Sequence, residues 1–147
     1  MITNPQTASD NNRMEFTWEV RVYYEDTDSA GLVYHSNHLK YMERARTEWL
    51  RSLGYAQEKL KRELSIIFVV RNMTVRYHQP AAMDELLQVK TTIRETGGAR
   101  MLFYQAIVNE QAGLVCDADI NVACLDADTM KPRRLPELLM KELRLVC

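Results

Sequence analysis

The chain has 147 residues, the usual size of one domain, and its 46% hydrophobic and 27% charged content is typical of globular proteins. The 19 basic and 20 acidic residues give a formal net charge of −1. This balance does not favour a nucleic-acid-binding protein, which needs a clustered basic surface. We predict a single domain over residues 14–147, preceded by a disordered polar tail over residues 1–13.

No stretch of the sequence is apolar enough to cross a membrane. The longest uninterrupted apolar run, Ile66 to Val70, is far shorter than the roughly 20 residues of a spanning helix. Residues 1–12 are polar and lack both the basic start and the apolar core of a signal peptide. The sequence therefore predicts a cytoplasmic protein without a transmembrane segment.

The first predicted element is a strand, because apolar and polar residues alternate from Glu15 to Tyr24. One face carries the large apolar side chains and ends on Tyr24, whereas the other face is mainly polar. The alternation stops at residues 25–31, EDTDSAG, whose Asp, Ser and Gly residues are typical of a turn. The sequence thus predicts a half-buried strand that leads into an acidic turn.

A single long helix is predicted after this turn. Apolar residues recur at helical spacing from Leu39 to Leu53, and the positions between them are mostly charged. Ser36 or Asn37 is suited to act as the N-cap, and Gly54 is a natural C-terminal stop. The pattern predicts about five helical turns with one apolar face.

Four further strands are predicted after the helix, over residues 65–78, 86–95, 100–109 and 114–125. Gly97-Gly98 predicts a hairpin, and Pro136 is placed to begin a short terminal helix through Leu143. Strands joined by tight turns form an antiparallel sheet, and the long helix must cover one of its faces. The predicted class is therefore α+β: a long antiparallel sheet wrapped around one central helix, which is the hotdog arrangement.

The cysteines do not predict a disulfide framework. Cys116 and Cys124 fall in the same predicted strand, eight residues apart. At the rise of an extended chain they are about 26 Å apart, beyond the reach of a disulfide. We expect both to be reduced residues in the core or at an interface.

The segment from Tyr23 to Arg46, YYEDTDSAGLVYHSNHLKYMERAR, concentrates the groups that carry chemistry. It places the carboxylates of Glu25, Asp26 and Asp28 at a strand-to-helix junction. The N–H groups at a helix N-terminus polarise a carbonyl and stabilise an oxyanion, and a nearby carboxylate attacks the carbonyl or activates water. Acidic residues also precede helices only to complement the helix dipole, so the pattern alone leaves both interpretations open.

The stretch VYYEDTDSAGLVYHSNHLKYMERARTEWL resembles the signature of hotdog thioesterases of the Tol–Pal-associated, YbgC-like group, which is related to 4-hydroxybenzoyl-CoA thioesterases. The similarity continues through FVVRNMTVRYHQPAAMDEL and LDADTMKPRRLPE. It implies a hotdog fold, acyl-CoA thioester hydrolysis and Asp28 as the catalytic carboxylate. It also implies supporting roles for Tyr24 and His35, with the backbone N–H near His35 polarising the thioester carbonyl.

The motif leaves open whether Asp28 is a nucleophile or a general base, and we favour the general base. One position departs from the pattern, because His38 stands where the group more often has Tyr. The lining of the acyl pocket is therefore expected to differ from that of the group. Each site residue also has a structural alternative: Asp28 as a turn or capping residue, Tyr24 as a packed strand residue, and His35 as a hydrogen-bonding residue.

Other polar residues of the junction are interpreted as structural. Asp26 is expected to support the turn. Glu43 is an alternative helix-borne carboxylate, although pairing within the helix or with a neighbouring chain is favoured. His35 and His38 are three residues apart, a spacing that lacks the regularity of a zinc motif, so no metal is predicted.

Six basic residues are candidates for binding CoA phosphates, although each alone is better explained as a surface charge: Arg76, Arg94, Arg100, Lys131, Arg133 and Arg134. The predicted substrate is an acyl-CoA, with acyl carrier protein conjugates as an alternative, and no cofactor is expected. Two rival functions remain. One is a non-catalytic acyl-CoA-binding module, and the other is a scaffold for envelope or phospholipid proteins, peripheral to the inner membrane.

We also predict a homo-oligomer, dimer or tetramer, with the dimer as the smallest stable unit. A sheet of five strands around one helix leaves two edges and one face uncovered. The strong apolar alternation in residues 114–125 suggests that part of this strand meets a second subunit. The resemblance implies active sites at the interface between subunits.

Overall fold

The computed structural model describes residues 15–146. The predicted tail over residues 1–13 and Cys147 lie outside the described residues. In chain order, the elements are β1 (Phe16–Arg21), α1 (His35–Ser52), α2 (Gln57–Leu64), β2 (Ile66–Tyr77), β3 (Leu86–Gly97), β4 (Arg100–Asn109), β5 (Gly113–Asp126) and α3 (Glu137–Val146). Within residues 15–146, no helix combines the length and the apolar character needed to cross a membrane.

The five strands form one sheet in the order β1-β3-β4-β5-β2, and every neighbouring pair is antiparallel. The β3–β4 hairpin turns at Gly97 and Gly98, and Gly98 has φ +54°, which a glycine adopts without strain. The α+β class and the antiparallel hotdog topology predicted from the sequence are therefore confirmed.

Helix α1 packs across one face of the sheet, which we call the inner face. The apolar side of α1 is buried against side chains that alternate positions of the strands direct to this face. Trp49 contacts Phe103 edge to face, with 5.2 Å between the ring centroids. Gly54 ends the helix with φ +94°, as predicted, and Tyr55 N donates to Leu50 O at 3.0 Å. The buried inner face of β5 belongs to this core: Cys116, Ala118, Ile120, Val122 and Cys124.

Three sequence-based predictions about the elements were wrong in detail. The first strand ends at Arg21 rather than Tyr24, and residues 24–26 form a 3-10 turn. The N-cap of α1 is Tyr34, so Ser36 and Asn37 lie inside the helix. Helix α2, Gln57–Leu64, was not predicted, since its short charged sequence carries only one buried residue, Leu60.

The strand β5 is not a free surface, contrary to the suggestion that it meets a second subunit. It lies between β4 and β2, and its apolar alternation is used within the chain. The two edges of the sheet are β1, with 6 residues, and β2, with 12 residues. Both cysteines of β5 are free and buried, as predicted, and burial raises the pKa of Cys116 to about 12.

Candidate active site at the N-terminus of α1

The segment between β1 and α1 folds back on itself as a small hairpin. Thr27 bridges Val33, and Asp28 N donates to Leu32 O at 2.8 Å. Gly31, with φ +79°, closes the tip by donating its N–H to Asp28 O at 2.9 Å. This arrangement brings the acidic turn back to the first turn of α1. Leu32 lies opposite Asp28 in this hairpin, and Tyr34, the N-cap of α1, follows Leu32 by two residues.

Only one of the two oxygens of the Asp28 carboxylate accepts hydrogen bonds from the described residues. Its Oδ1 accepts hydrogen bonds from Ala30 N at 2.9 Å and from Leu32 N at 3.3 Å. Oδ2 has no partner among the described residues, and the side chain is exposed. The two backbone donors fix the orientation of the carboxylate, while one oxygen remains available to an incoming molecule.

The first turn of α1 leaves backbone donors free. Tyr34 makes no side-chain cap, and Asn37 N donates back to Tyr34 O at 2.8 Å. The N–H groups of His35 and Ser36 have no acceptor within residues 15–146. Two unpaired N–H groups at a helix N-terminus carry partial positive charge and bind a carbonyl oxygen or an anion.

Asp26 ties the turn to the helix, in agreement with its predicted structural role. Its carbonyl oxygen accepts Tyr34 N at 3.0 Å and Asn37 Nδ2 at 2.7 Å, and its carboxylate accepts Tyr23 N at 2.9 Å. Asn37 therefore acts through a tertiary contact and not as the helix cap.

Beneath Asp26 lies Tyr41, whose hydroxyl is buried and finds no partner of good hydrogen-bond geometry in the described part of the chain. Burial raises the pKa of Tyr41, and the nearby Asp26 carboxylate raises it further. The Tyr41 hydroxyl and the Asp26 carboxylate thus interact electrostatically without a formed hydrogen bond. The pair adds support below the acidic turn.

His35 is exposed at the start of α1, and an aromatic side chain from the edge strand holds its backbone. The Tyr77 hydroxyl donates to His35 O at 2.8 Å, and the rings of Tyr34 and His35 lie 4.4 Å apart. His38 is buried, with its Nδ1 3.2 Å from His35 O and its ring 5.2 Å from that of Tyr77. Burial lowers the pKa of His38, which keeps it neutral near neutral pH.

Tyr77 was not singled out from the sequence. It lies in the segment whose similarity to thioesterases was noted, but no local pattern places residue 77 beside residue 35. The contact depends on the register of β2 against β5, where Tyr77 faces Cys116. A second unpredicted support is the loop before β3, because Val33 N donates to Ala81 O at 2.8 Å and Leu32 bridges Ala82.

Tyr24 is not a packed strand residue. It begins the 3-10 turn and is 82% exposed, so the alternative of an apolar-face tyrosine was wrong. Thr27 anchors this turn by donating both N–H and Oγ1 to Tyr24 O, at 3.1 and 2.8 Å. Tyr24 precedes the hairpin strand that holds Asp28 by three residues, and its side chain, like that of His35, is exposed.

Other candidate ligands do not converge at this junction. Among residues 15–146, no three His, Cys, Asp or Glu side chains are placed to hold a metal ion. Glu43 is exposed and forms no ion pair with any described residue. The pairing predicted for Glu43 within its own helix is therefore not observed.

Two of the basic residues considered for CoA phosphates are engaged on the sheet face opposite α1, which we call the outer face. Arg76 donates from Nε to Asp117 at 2.8 Å and from Nη2 to Asp119 at 3.1 Å. Arg94 stacks over the Tyr104 ring at 4.4 Å. Both guanidinium groups are therefore partners of this outer-face cluster, on the far side of the sheet from the helix N-terminus.

The remaining basic candidates lie at the surface. Arg100 pairs with Glu95 at 3.1 Å, and Arg133 approaches Asp126 at 3.7 Å. Lys131 and Arg134 are exposed. None of these four residues contacts the junction that holds Asp28.

Comparison with known proteins decides the family. Residues 22–143 match the thioesterase-like superfamily. The chain belongs to this superfamily. It is 44% identical over 133 residues to the acyl-CoA thioester hydrolase YbgC of Escherichia coli, a match that covers 90% of this chain and 98% of that protein. The acyl-CoA thioesterase YbgC of Haemophilus influenzae is 43% identical over 122 residues, covering 83% and 89% of the two chains.

Solved structures give the same answer for the thioesterase fold. A probable thioesterase from Bartonella henselae superposes with a TM-score of 0.79 at 36% identity, over 84% of this chain and all of that one. A 1,4-dihydroxy-2-naphthoyl-CoA thioesterase from Synechocystis superposes with a TM-score of 0.82 at 25% identity, over 89% and 96%. The predicted membership of a hotdog thioesterase family is confirmed, and with it the prediction of a thioester-hydrolysing enzyme.

Proposed function

We propose that this thioesterase hydrolyses acyl-CoA thioesters, with Asp28 as the catalytic carboxylate at the N-terminus of α1. The observation that carries the proposal is the half-satisfied Asp28 carboxylate, one oxygen of which is clamped by Ala30 N and Leu32 N while the other is open. The identity to acyl-CoA thioesterases over nearly the whole chain supports CoA thioesters as the substrate class.

The chemistry uses two parts of the junction, the free N–H groups at the start of α1 and the Asp28 carboxylate. The thioester carbonyl oxygen accepts hydrogen bonds from the free N–H groups of His35 and Ser36, which stabilise the negative charge of the tetrahedral intermediate. The open oxygen of Asp28 takes a proton from water as the water attacks the carbonyl carbon. The C–S bond then breaks, the thiolate leaves with the proton from Asp28, and the products are the free acid and CoA.

Tyr24 and His35 are proposed as positioning residues of the site. Both side chains are exposed, and the backbone of His35 is held by Tyr77. The His35 side chain then orients the acyl or pantetheine portion, while its backbone N–H polarises the carbonyl. Because the mechanism draws its electrophilic assistance from backbone donors, it requires no metal ion.

The experiment that tests this function is a thiol-release screen over short, long and aromatic acyl-CoAs, before and after exhaustive chelation. We expect turnover of at least one acyl-CoA, unchanged by chelation. Binding of acyl-CoA without turnover would favour the non-catalytic module instead. Loss of activity on chelation, restored by a divalent metal, would contradict the metal-free mechanism. Acyl carrier protein conjugates as substrates, a cytoplasmic location and a peripheral association with the inner membrane stay predictions from the sequence.

We further propose that the active unit is a homo-oligomer joined through the edge strand β2. One side of this 12-residue strand has no partner strand among the described residues, and Val70 and Tyr77 are 44% and 49% exposed. A long exposed edge of this kind readily pairs with another strand. Pairing by a two-fold axis would bring partner residues next to Tyr77, and hence next to His35.

Light scattering over a dilution series checks the assembly. The expected mass is about 34 kDa, twice the 17.1 kDa of the chain, or a multiple of it. Val70→Asp should shift the population toward the monomer, because a buried unpaired charge at the interface is unfavourable. Leu138→Asp, at an exposed residue of α3, is the matched control. A 17 kDa wild-type species that turns over substrate would contradict the proposal.

A further inference from the structure

The backbone carbonyl of His35, at the start of α1, has hydrogen-bond contacts with two side chains. The Tyr77 hydroxyl donates to it from β2 at 2.8 Å, and Nδ1 of His38 lies 3.2 Å from it, three residues further along the helix. Both distances are within the usual range of a hydrogen bond. The rings of Tyr77 and His38 also pack edge to face, with 5.2 Å between their centroids. The two side chains therefore form one unit around a single oxygen atom.

The surroundings of His38 fix which of its ring nitrogens carries the hydrogen. His38 is 4% exposed, and burial lowers its pKa more than the nearby backbone acceptors raise it, so the imidazole is neutral near neutral pH. A neutral imidazole has one N–H group and one bare nitrogen. Because a carbonyl oxygen can only accept, Nδ1, which faces His35 O, must carry the hydrogen. His38 thus donates to His35 O.

The carbonyl of His35 belongs to the same peptide group as the N–H of Ser36. This group is planar, so holding its oxygen at two points also fixes the direction of the N–H. Hydrogen bonds that the carbonyl accepts polarise the peptide group and make its N–H a stronger donor. The N–H of Ser36 has no acceptor within residues 15–146 and is one of the two donors proposed for the thioester carbonyl. One peptide group therefore connects the two side chains to the proposed oxyanion site.

We propose that His38 is a positioning residue that donates from Nδ1 to His35 O and, with Tyr77, orients and polarises the N–H that stabilises the oxyanion. This inference rests on the proposed function, because it assumes that the thioester carbonyl binds at the N-terminus of α1. Full negative charge on the carbonyl oxygen develops only toward the transition state. A stronger and better aligned donor therefore lowers the barrier more than it strengthens substrate binding. His38 should influence kcat more than KM.

A histidine that only fills space beside Tyr77 would be buried in the same way, but the two roles predict different orders among substitutions. Asn places its amide nitrogen two bonds from Cβ, as His places Nδ1, whereas Gln places its amide nitrogen one bond further out. Phe keeps the approximate size and shape of the ring but has no donor. Activity should therefore follow the position of the donor, whereas packing should follow the size and shape of the side chain.

The first test measures kcat, KM and the melting temperature of the full chain, with its best acyl-CoA as the substrate. His38→Phe should lower kcat by about threefold to tenfold, with KM within about twofold of the wild type. His38→Gln should resemble His38→Phe in kcat, because its donor does not reach the Nδ1 position. His38→Asn should have a higher kcat than either, although the smaller side chain leaves a gap and should melt at a lower temperature than His38→Phe.

Leu50→Val is the matched control, since Leu50 is a buried residue near the other end of the same helix. It should lower the melting temperature without lowering kcat. If kcat follows the melting temperature across the three His38 variants, the side chain acts through packing alone, and the proposal is overturned. A kcat in His38→Phe equal to that of the wild type overturns it as well.

The second test does not depend on catalysis. Nitrogen NMR of the wild-type imidazole reports which ring nitrogen carries the hydrogen, and we expect the Nδ1–H form of His38 at neutral pH. The amide resonance of Ser36 should move upfield in both His38→Phe and Tyr77→Phe, because each removes a donor from the same peptide group. An Nε2–H form in the wild type would overturn the proposal even if every His38 variant were poorly folded.

The two tests separate this inference from the proposed function. If no acyl-CoA is hydrolysed, the proposed function fails, and the NMR measurements alone decide whether His38 polarises the peptide group. If Asp28→Asn loses turnover but His38→Phe keeps the kcat of the wild type, the proposed function stands and the role assigned to His38 is wrong.

Discussion

Asp28 and Asp117 are both held by hydrogen bonds, but their surroundings differ in a way that separates chemistry from stability. Asp117 is 7% exposed and accepts from Arg76, His78 and Tyr104, at 2.8, 3.0 and 2.6 Å. Burial by itself would raise the pKa of Asp117, but these hydrogen bonds outweigh it and hold the pKa at about 2. Asp28 is exposed and uses only one oxygen. A saturated carboxylate stabilises a fold, whereas a half-satisfied one remains available to react.

The largest expected effect is the loss of activity when Asp28, and not Asp117, is substituted. Asp28→Asn keeps the shape of the side chain but removes the base, so kcat for the best acyl-CoA should fall by about 10² or more. The melting temperature should stay near that of the wild type, because Asn can still accept from Ala30 N and Leu32 N. Glu25→Gln, which alters an exposed carboxylate three residues earlier, is the control and should retain wild-type turnover. Near wild-type kcat in Asp28→Asn would exclude Asp28 as the catalytic carboxylate.

The second-largest expected effect is a loss of stability without a loss of activity. Asp117→Asn should lower the free energy of unfolding by about 2 kcal/mol at pH 7, while leaving kcat within about twofold of the wild type. Asp119→Asn is the matched control, since Asp119 is more exposed and should cost less than about 1 kcal/mol. Urea denaturation measures both values. A stability equal to wild type in Asp117→Asn would show that the outer-face cluster contributes nothing.

The contribution of Asp117 to stability should depend on pH. Its folded pKa is depressed to about 2, so its contribution is present above the unfolded pKa near 3.8 and is lost as the pH falls through about 2. The stability gap between wild type and Asp117→Asn should therefore be constant from pH 7 to about pH 5. It should then narrow between about pH 4 and pH 2. A gap that widened toward acid would contradict the assigned pKa direction.

A smaller effect is expected from the positioning residues. His35→Ala removes the imidazole but retains the backbone N–H, so kcat/KM should fall by about tenfold, less than for Asp28→Asn. Tyr24→Phe should cause a loss of similar or smaller size. Steady-state thiol release measures both variants. A loss in His35→Ala as large as that in Asp28→Asn would place the His35 side chain in the chemical step.

The smallest predicted effect concerns Tyr77. Tyr77→Phe removes one neutral hydrogen bond to His35 O and should lower kcat by about fivefold, because the start of α1 becomes less well fixed. Tyr104→Phe is the same substitution on the outer face, where the hydroxyl serves Asp117, and should lower stability without changing kcat. If both variants kept wild-type kcat, Tyr77 would have no role in positioning the helix start.

Much of the fold could be predicted because its elements carry strong periodic signals. The predicted strand over residues 100–109 coincides with β4, and the predicted N-cap of the long helix, Ser36 or Asn37, is two or three residues after the observed one, Tyr34. Hydrophobic alternation and the stop signal at Gly54 are local properties of the sequence. The acidic turn was also recognised locally, because residues 25–31 are typical turn formers.

What failed depended on contacts distant in the sequence. The alternation continues to Tyr24, but Val22 is tied to the loop before β3 through Val22 N to Glu85 O and Asp84 N to Val22 O, both at 2.9 Å, and the chain turns there. The helix cap was misplaced because Asn37 bonds the carbonyl of Asp26 instead. The Asp117 cluster joins residues about forty positions apart, and only the strand register brings them together.

We propose that the open Asp28 carboxylate performs the chemistry and is not needed to bind substrate. The most direct measurement is a single-turnover experiment with Asp28→Asn in excess over acyl-CoA, with acyl-CoA affinity determined on the same preparation. We predict a dissociation constant within a few-fold of wild type and thiol release slowed by about 10² or more. Thiol release at the wild-type rate from the bound substrate would contradict it.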